Sequence, residues 1–98
     1  MNSADAHRVR ADLHRYWALF VKSRGADPTD HYRASLTDYG RSLELDPYDR
    51  MGWRRRAGIR FYLANWLKSR GGEVGNLFEE AEADLQKARE LAPDDPGV

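Results

Sequence analysis

Lys22-Ser23-Arg24-Gly25 and Lys68-Ser69-Arg70-Gly71 are one four-residue word written twice, 46 positions apart (68 − 22). The same offset carries Ala11 to Ala57, Tyr16 to Tyr62, Ala18 to Ala64, Asp38 to Asp84, Glu44-Leu45 to Glu90-Leu91 and Pro47 to Pro93, and it takes the ring of Tyr32 to that of Phe78. No gap is needed. Agreement at one fixed offset along a chain of 98 residues marks an internal duplication. It divides a single domain, residues 1–98, into one unit at 3–47 and a second at 49–93.

Each unit reads as helix, loop, helix. In the first, Val9, Leu13, Tyr16, Trp17, Phe20 and Val21 recur at helical spacing. Gly25 then suits a left-handed C-terminal cap, with Lys22 and Arg24 near the negative helix end. Asp27-Pro28-Thr29-Asp30 reads as a cap with Pro at the first helical position, and the next stripe is Tyr32, Leu36, Tyr39 and Leu43. In the second unit the stripe is Trp53, Ala57, Phe61, Ala64 and Leu67, widened by Ile59, Leu63 and Trp66. Gly71-Gly72 ends that helix. Asn76-Leu77-Phe78-Glu79 has capping-box spacing, and Phe78, Ala81, Leu85, Ala88 and Leu91 form the last stripe. No period-two run of β-branched residues occurs, so a sheet is not expected.

Composition narrows the function classes. Lys+Arg and Asp+Glu are 16 each, so bulk charge does not point to nucleic acid. There is no Cys, which removes disulfides, thiolate metal sites and Cys nucleophiles and fits a cytoplasmic setting. Apolar runs are too short to span a membrane, and the polar Met1–Arg8 segment has no signal-peptide character.

The second helix of each unit carries a recognisable spacing: small residue, large apolar residue, small residue, Pro. Here these are Ser35, Tyr39, Ser42, Pro47 and Ala81, Leu85, Ala88, Pro93. This resembles the tetratricopeptide repeat, and Ser42–Pro47 and Ala88–Pro93 look like that family's usual ending. The first helix matches less well. Trp53 followed by Ala57 fits, but Arg56 and Arg60 stand where large apolar residues are usual, and His7 stands where the first copy should have Trp. The unit is also about 12 residues longer than the usual ~34, which implies a first helix of about twenty residues and a longer loop. HEAT-like repeats share the period but do not account for the Pro-terminated ending. The resemblance implies an all-α chain of two antiparallel hairpins, four helices in all, beginning an α-α superhelix. It implies a scaffold that binds a protein or peptide, with no catalysis and no cofactor.

In that family the first helices line a concave groove. The matching register puts Met51, Arg54, Arg55, Gly58, Phe61 and Tyr62 on it, with Asp5, Arg8, Val9, Asp12, Arg15 and Tyr16 from the first copy. Arg8, Arg15, Tyr16, Arg54, Arg55, Phe61 and Tyr62 are the candidate partner-binding residues. Guanidinium groups beside rings suit an acidic or free-carboxylate peptide, although the Asn residues of the family's carboxylate grip are absent. The competing reading is that these arginines pair with neighbouring Asp and Glu. A second copy of the chain, or flanking repeats, is the alternative partner, and RNA held on the arginine helix with Tyr62 or Trp66 stacking is a weaker one.

Other constellations read as bland. His7 and His14 lie two turns apart, too far for one metal without a third ligand between them, for which Asp12 offers poor geometry, and they and His31 are taken as surface residues. Glu79, Glu80, Glu82, Asp84 and Glu90 read as a solvated face. Ser35 and Ser42 are packing residues with no activating base. Gly71-Gly72-Glu73-Val74-Gly75 lacks the strand and Lys-Ser/Thr of a phosphate loop. Trp17, Trp53 and Trp66 are expected in the core or between the units, with Trp66 marking a contact surface if exposed.

Overall fold

Four helices account for most of the chain in the computed structural model, which describes residues 2–92. They are α1 (Ser3–Ser23), α2 (Thr29–Leu45), α3 (Arg50–Ser69) and α4 (Leu77–Leu91), and no strand occurs among the described residues. The two first helices run 21 and 20 residues, the length that the extended repeat implies. Pro93 lies outside the described residues. Pro47 stands just past the Asp46 C-cap of α2, in the tight link to α3.

The turns obey the 46-residue offset. Gly25 (φ 82°) and Gly71 (φ 74°) both adopt the left-handed conformation that ends a helix. Around them the hydrogen bonds repeat: Gly25 N–H to Lys22 O and Ala26 N–H to Val21 O, then Gly71 N–H to Lys68 O and Gly72 N–H to Leu67 O. This paired 5→2 and 6→1 pattern satisfies the last carbonyls of each first helix.

The starts of the helices differ from one another. Asn2 accepts from Asp5 N–H at 2.8 Å and Asp49 from Gly52 N–H at 3.1 Å, capping α1 and α3. At α2 the Asp27 carboxylate accepts from Thr29 N–H at 2.9 Å, but the expected cap is displaced by one residue: the helix begins at Thr29, and Pro28 stands at the cap position rather than in the first turn. The capping box expected at α4 does not form. Asn76 makes no side-chain cap there, because its backbone already lies near the helical region (φ −97°, ψ 15°).

Both hairpins are antiparallel, as side-chain hydrogen bonds establish. Ser35 donates to the Ala11 carbonyl and Ser42 to the Ala4 carbonyl, each at 2.9 Å, so α2 descends as α1 rises. In the second hairpin Arg60 reaches Glu80 while Arg56 reaches Asp84. The helices pack in chain order, α1 on α2, α2 on α3 and α3 on α4.

Small residues make the close contacts. Ala4, Ala11 and Ala18 bury one face of α1, opposite Ser35 and Ser42, while Ala57 and Ala64 face Ala81 and Ala88 in the second hairpin. Tyr32, Tyr39, Ile59 and Leu63 join Ala11 and Ala18 in one core cluster that crosses from the first unit to the second. Leu85 is half-buried.

The expected apolar stripe of α1 is not in this core. Val9, Leu13, Tyr16, Trp17 and Phe20 are all exposed. The seven-residue step of Ala4, Ala11 and Ala18 lets α2 approach closely on that side, and the large side chains fall on the opposite one. Trp17 is thus not a core residue; it stacks beside His31 (6.4 Å between centroids) and edge-on to Phe20. Trp53 and Trp66 are half-buried, each under a guanidinium: Arg56 over Trp53 at 4.9 Å and Arg70 over Trp66 at 4.2 Å. No helix among the described residues is long and apolar enough to cross a membrane.

Candidate functional site

The long helices α1 and α3 present residues to a cleft of about 300 Å³ lined by Arg15, Met51, Arg54, Arg55, Gly58, Ile59 and Tyr62. Met51 is followed by the adjacent Arg54 and Arg55, then by Gly58 and Tyr62, so that three- and four-residue steps place them on a single side of α3. Arg15 enters from α1, and buried Ile59 forms part of the floor.

Three guanidinium groups converge here under different restraint. Arg55 is paired with Asp12 of α1 at 3.1 Å. Asp12 also accepts the hydroxyl of buried Tyr39 from α2, so one carboxylate ties three helices together. Burial, reinforced by Asp12, pushes the Tyr39 hydroxyl well above the usual tyrosine range. Arg15 lies over the Tyr16 ring at 5.8 Å. Arg54 is exposed and has no ion-pair partner among the described residues. The cleft therefore holds three positive groups against the one carboxylate of Asp12. Beneath its rim Tyr62 stacks on Tyr32 (6.3 Å, 21° between planes). The Tyr32 hydroxyl is buried without a hydrogen-bond partner among the described residues, and burial raises its pKa, with Tyr62 adding to the effect.

Of the seven candidate binding residues, Arg15, Arg54, Arg55 and Tyr62 line the cleft and the others do not. Arg8 shares a face with Arg15 but pairs with Asp5 one turn away, at 3.1 Å. Tyr16 is one residue, or about 100°, around the helix from Arg15, and it lies on the outer side of α1. Phe61 turns toward α4 and packs on Phe78 at 6.0 Å.

The other arginines of α3 serve the interior. Arg56 binds Asp84 through two hydrogen bonds, Nε to Oδ2 at 3.1 Å and Nη2 to Oδ1 at 2.8 Å, and Arg60 adds a third at 2.7 Å. The first unit repeats this arrangement: Arg10 grips Asp38 with Nε to Oδ2 at 2.9 Å and Nη2 to Oδ1 at 2.8 Å. His14, the offset partner of Arg60, stands 3.9 Å from Asp38, and His7 stands at 3.6 Å. His7 and His14 are thus neighbours of a buried carboxylate. Hydrogen bonds from Arg10 hold the Asp38 carboxyl below the usual range. Asp84 likewise does not belong to the solvated acidic face expected for it, being buried while Glu79, Glu80, Glu82 and Glu90 are exposed.

This duplicated ion pair was missed in the sequence, although its signal was there. Arg10 and Arg56 match at the offset, Asp38 and Asp84 match at the same offset, and each Arg precedes its Asp by 28 residues. Two charges of opposite sign duplicated together suggest a pair inside the repeat. No group of three or more His, Asp or Glu side chains among the described residues could hold a metal.

No family model, no curated protein and no solved structure matches the chain.

Proposed function

We propose that the chain is a protein-interaction module whose α1–α3 cleft takes an acidic segment of a partner. The observation that supports this most directly is Arg54, a cation on the cleft wall with no ion-pair partner among the described residues, beside Arg15, Arg55 and the face of Tyr62. A carboxylate entering there meets forked donors already desolvated on one side, and a neighbouring aliphatic or aromatic group meets Met51 and Tyr62. The tetratricopeptide resemblance agrees with this use of the first helices, and the repeated hairpins are read as the start of such a superhelix. The family's Asn grip is missing, so recognition rests on the guanidinium groups. Binding rather than catalysis, in a cytoplasmic setting, belongs to the same reading.

The test is a panel of peptides, acidic, free-carboxylate and neutral, titrated against the wild type and Arg54→Ala. Acidic peptides should bind the wild type with salt-sensitive affinity. The variant should lose about tenfold, the worth of one charge-assisted hydrogen bond. Equal binding by the two proteins would eliminate the cleft.

A further inference from the structure

The exposed stripe of α1 can be compared, position by position, with the same helix of the second unit. At the 46-residue offset Leu13 corresponds to Ile59 and Trp17 to Leu63. Ile59 and Leu63 are fully buried, in the cluster that includes Tyr32 and Tyr39 of α2. The face that α3 turns toward the preceding unit is the face that α1 leaves open. Leu13 and Trp17 are each 53% exposed and Tyr16 is 65% exposed, with Val9 and Phe20 alongside.

The other end of the stack is finished differently. On the α3-facing side of α2, Leu36 packs against the core cluster and Leu43 reaches Gly52. The corresponding residues of α4 are Glu82 and Arg89, both exposed. A polar outer face is what terminates a repeat array in water. The α4 end therefore carries charge at positions where the α1 end carries large apolar side chains, with Arg15 over Tyr16 and Arg24 over Phe20 at the edges of that stripe.

We propose that the α1 stripe is the interface of a two-fold homodimer, α1 against α1 of a second copy. Head-to-tail stacking would press Glu82 and Arg89 into the apolar face without partners, and such contacts run on into open filaments. A two-fold axis instead matches the apolar stripe with itself and leaves Arg15 and Arg24 at its edges. Three aromatic side chains, each able to bury ~150–250 Å², together with the smaller Val9 and Leu13, all about half open, leave roughly 500 Å² of surface per copy. Pairing two such faces removes about 1,000 Å² in total, where specific interfaces begin. The stripe lies on the far side of α1 from Ala4, Ala11 and Ala18, so pairing leaves the intramolecular packing undisturbed.

Sedimentation velocity on the full chain from about 1 µM to about 500 µM tests this, since self-association follows mass action. A concentration-dependent shift from one to two copies is expected. Leu13→Glu should abolish it while the helical circular dichroism is kept, and Arg54→Ala should leave it unchanged, which separates this interface from the cleft. Should Leu13→Glu not fold, Leu13→Cys serves in its place. The chain has no other Cys, so a short bismaleimide should link it into covalent dimers. Wild type that stays a single copy throughout, polymers beyond the dimer, or a Leu13→Glu dimer would each overturn the proposal.

Discussion

Asp84 answers two guanidinium groups from a position almost closed to water. Arg56 and Arg60 are only 16% and 17% exposed, whereas Arg10, which holds Asp38, is 60% exposed. Removing the charge has unequal consequences. Asp84→Asn leaves Arg56 without its carboxylate and Arg60 with Glu80 alone, and should cost about 3–5 kcal/mol. Asp38→Asn lets Arg10 turn to solvent and should cost about 1–3 kcal/mol. Urea unfolding of the two variants checks the order, and equal losses would mean that the second pair is no more buried in solution than the first. Asp38 also sets a pH dependence. Its folded carboxyl is more acidic than the unfolded value of about 3.9. Its contribution is thus complete above that value and disappears as pH falls through the folded one. Wild-type stability should decline from about pH 5 to about pH 2, and Asp38→Asn, which cannot titrate, should decline less steeply. Parallel acid limbs would remove Asp38 as a source. None of this pairing was legible from one residue at a time. A charge in a helix looks the same whether it meets water or a partner 28 residues away, and only the coincidence of two duplicated charges distinguishes the cases.

At the scale of the element, the features legible in the sequence are those enforced by local backbone chemistry. Gly25 and Gly71 had to be left-handed because the chain reverses there, and they are. A Cβ at either would meet nothing within 4 Å, so the cost of Gly→Ala is backbone strain alone, about 1–2 kcal/mol at each site. Thermal melts of Gly25→Ala and Gly71→Ala should agree with each other, since the two turns are copies; a large difference would show that tertiary contacts decide one of them. Gly52→Ala behaves otherwise, because its Cβ would lie 2.8 Å from the Asp49 carboxylate that caps α3 and 3.0 Å from Leu43. Small residues at the helix crossings were equally legible. Ser42→Ala should change stability by less than ~1 kcal/mol, since the second unit already places Ala88 there and the Ala4 carbonyl stays within its helix. Ser42→Leu has no room and should cost more than ~2 kcal/mol. What local pattern could not reveal was which side of α1 is buried. Its largest apolar residues suggest one face and its alanines the opposite one, and close packing against Ser35 and Ser42 decides for the alanines.

The whole molecule depends on the joint between the units more than on either unit. The core cluster takes Ala11 and Ala18 from α1, Tyr32 and Tyr39 from α2 and Ile59 and Leu63 from α3. Asp12 adds a polar tie, accepting from Tyr39 within its own unit and from Arg55 across the joint. In a stacked repeat, stability is the sum of weak intrinsic terms and strong neighbour terms. Here only one neighbour interface is internal, and α4 has no contact with the first hairpin strong enough to replace it. Cutting the chain at Tyr48 would bare Tyr32 and Tyr39 on one fragment and Ile59 and Leu63 on the other. Each fragment would keep its own Arg–Asp pair yet lose most of its large buried side chains. Fragments 1–48 and 49–98 should therefore each show less than about half of their native helicity alone, since most helical stability in proteins comes from tertiary packing of the apolar face. Mixed at equal concentration, they should regain helix together. The intact chain should unfold in one transition, with far-ultraviolet circular dichroism and tryptophan fluorescence coinciding. A fragment that is fully helical by itself, or two separated transitions in the intact chain, would show that each hairpin carries its own stability and that the inter-unit core is secondary.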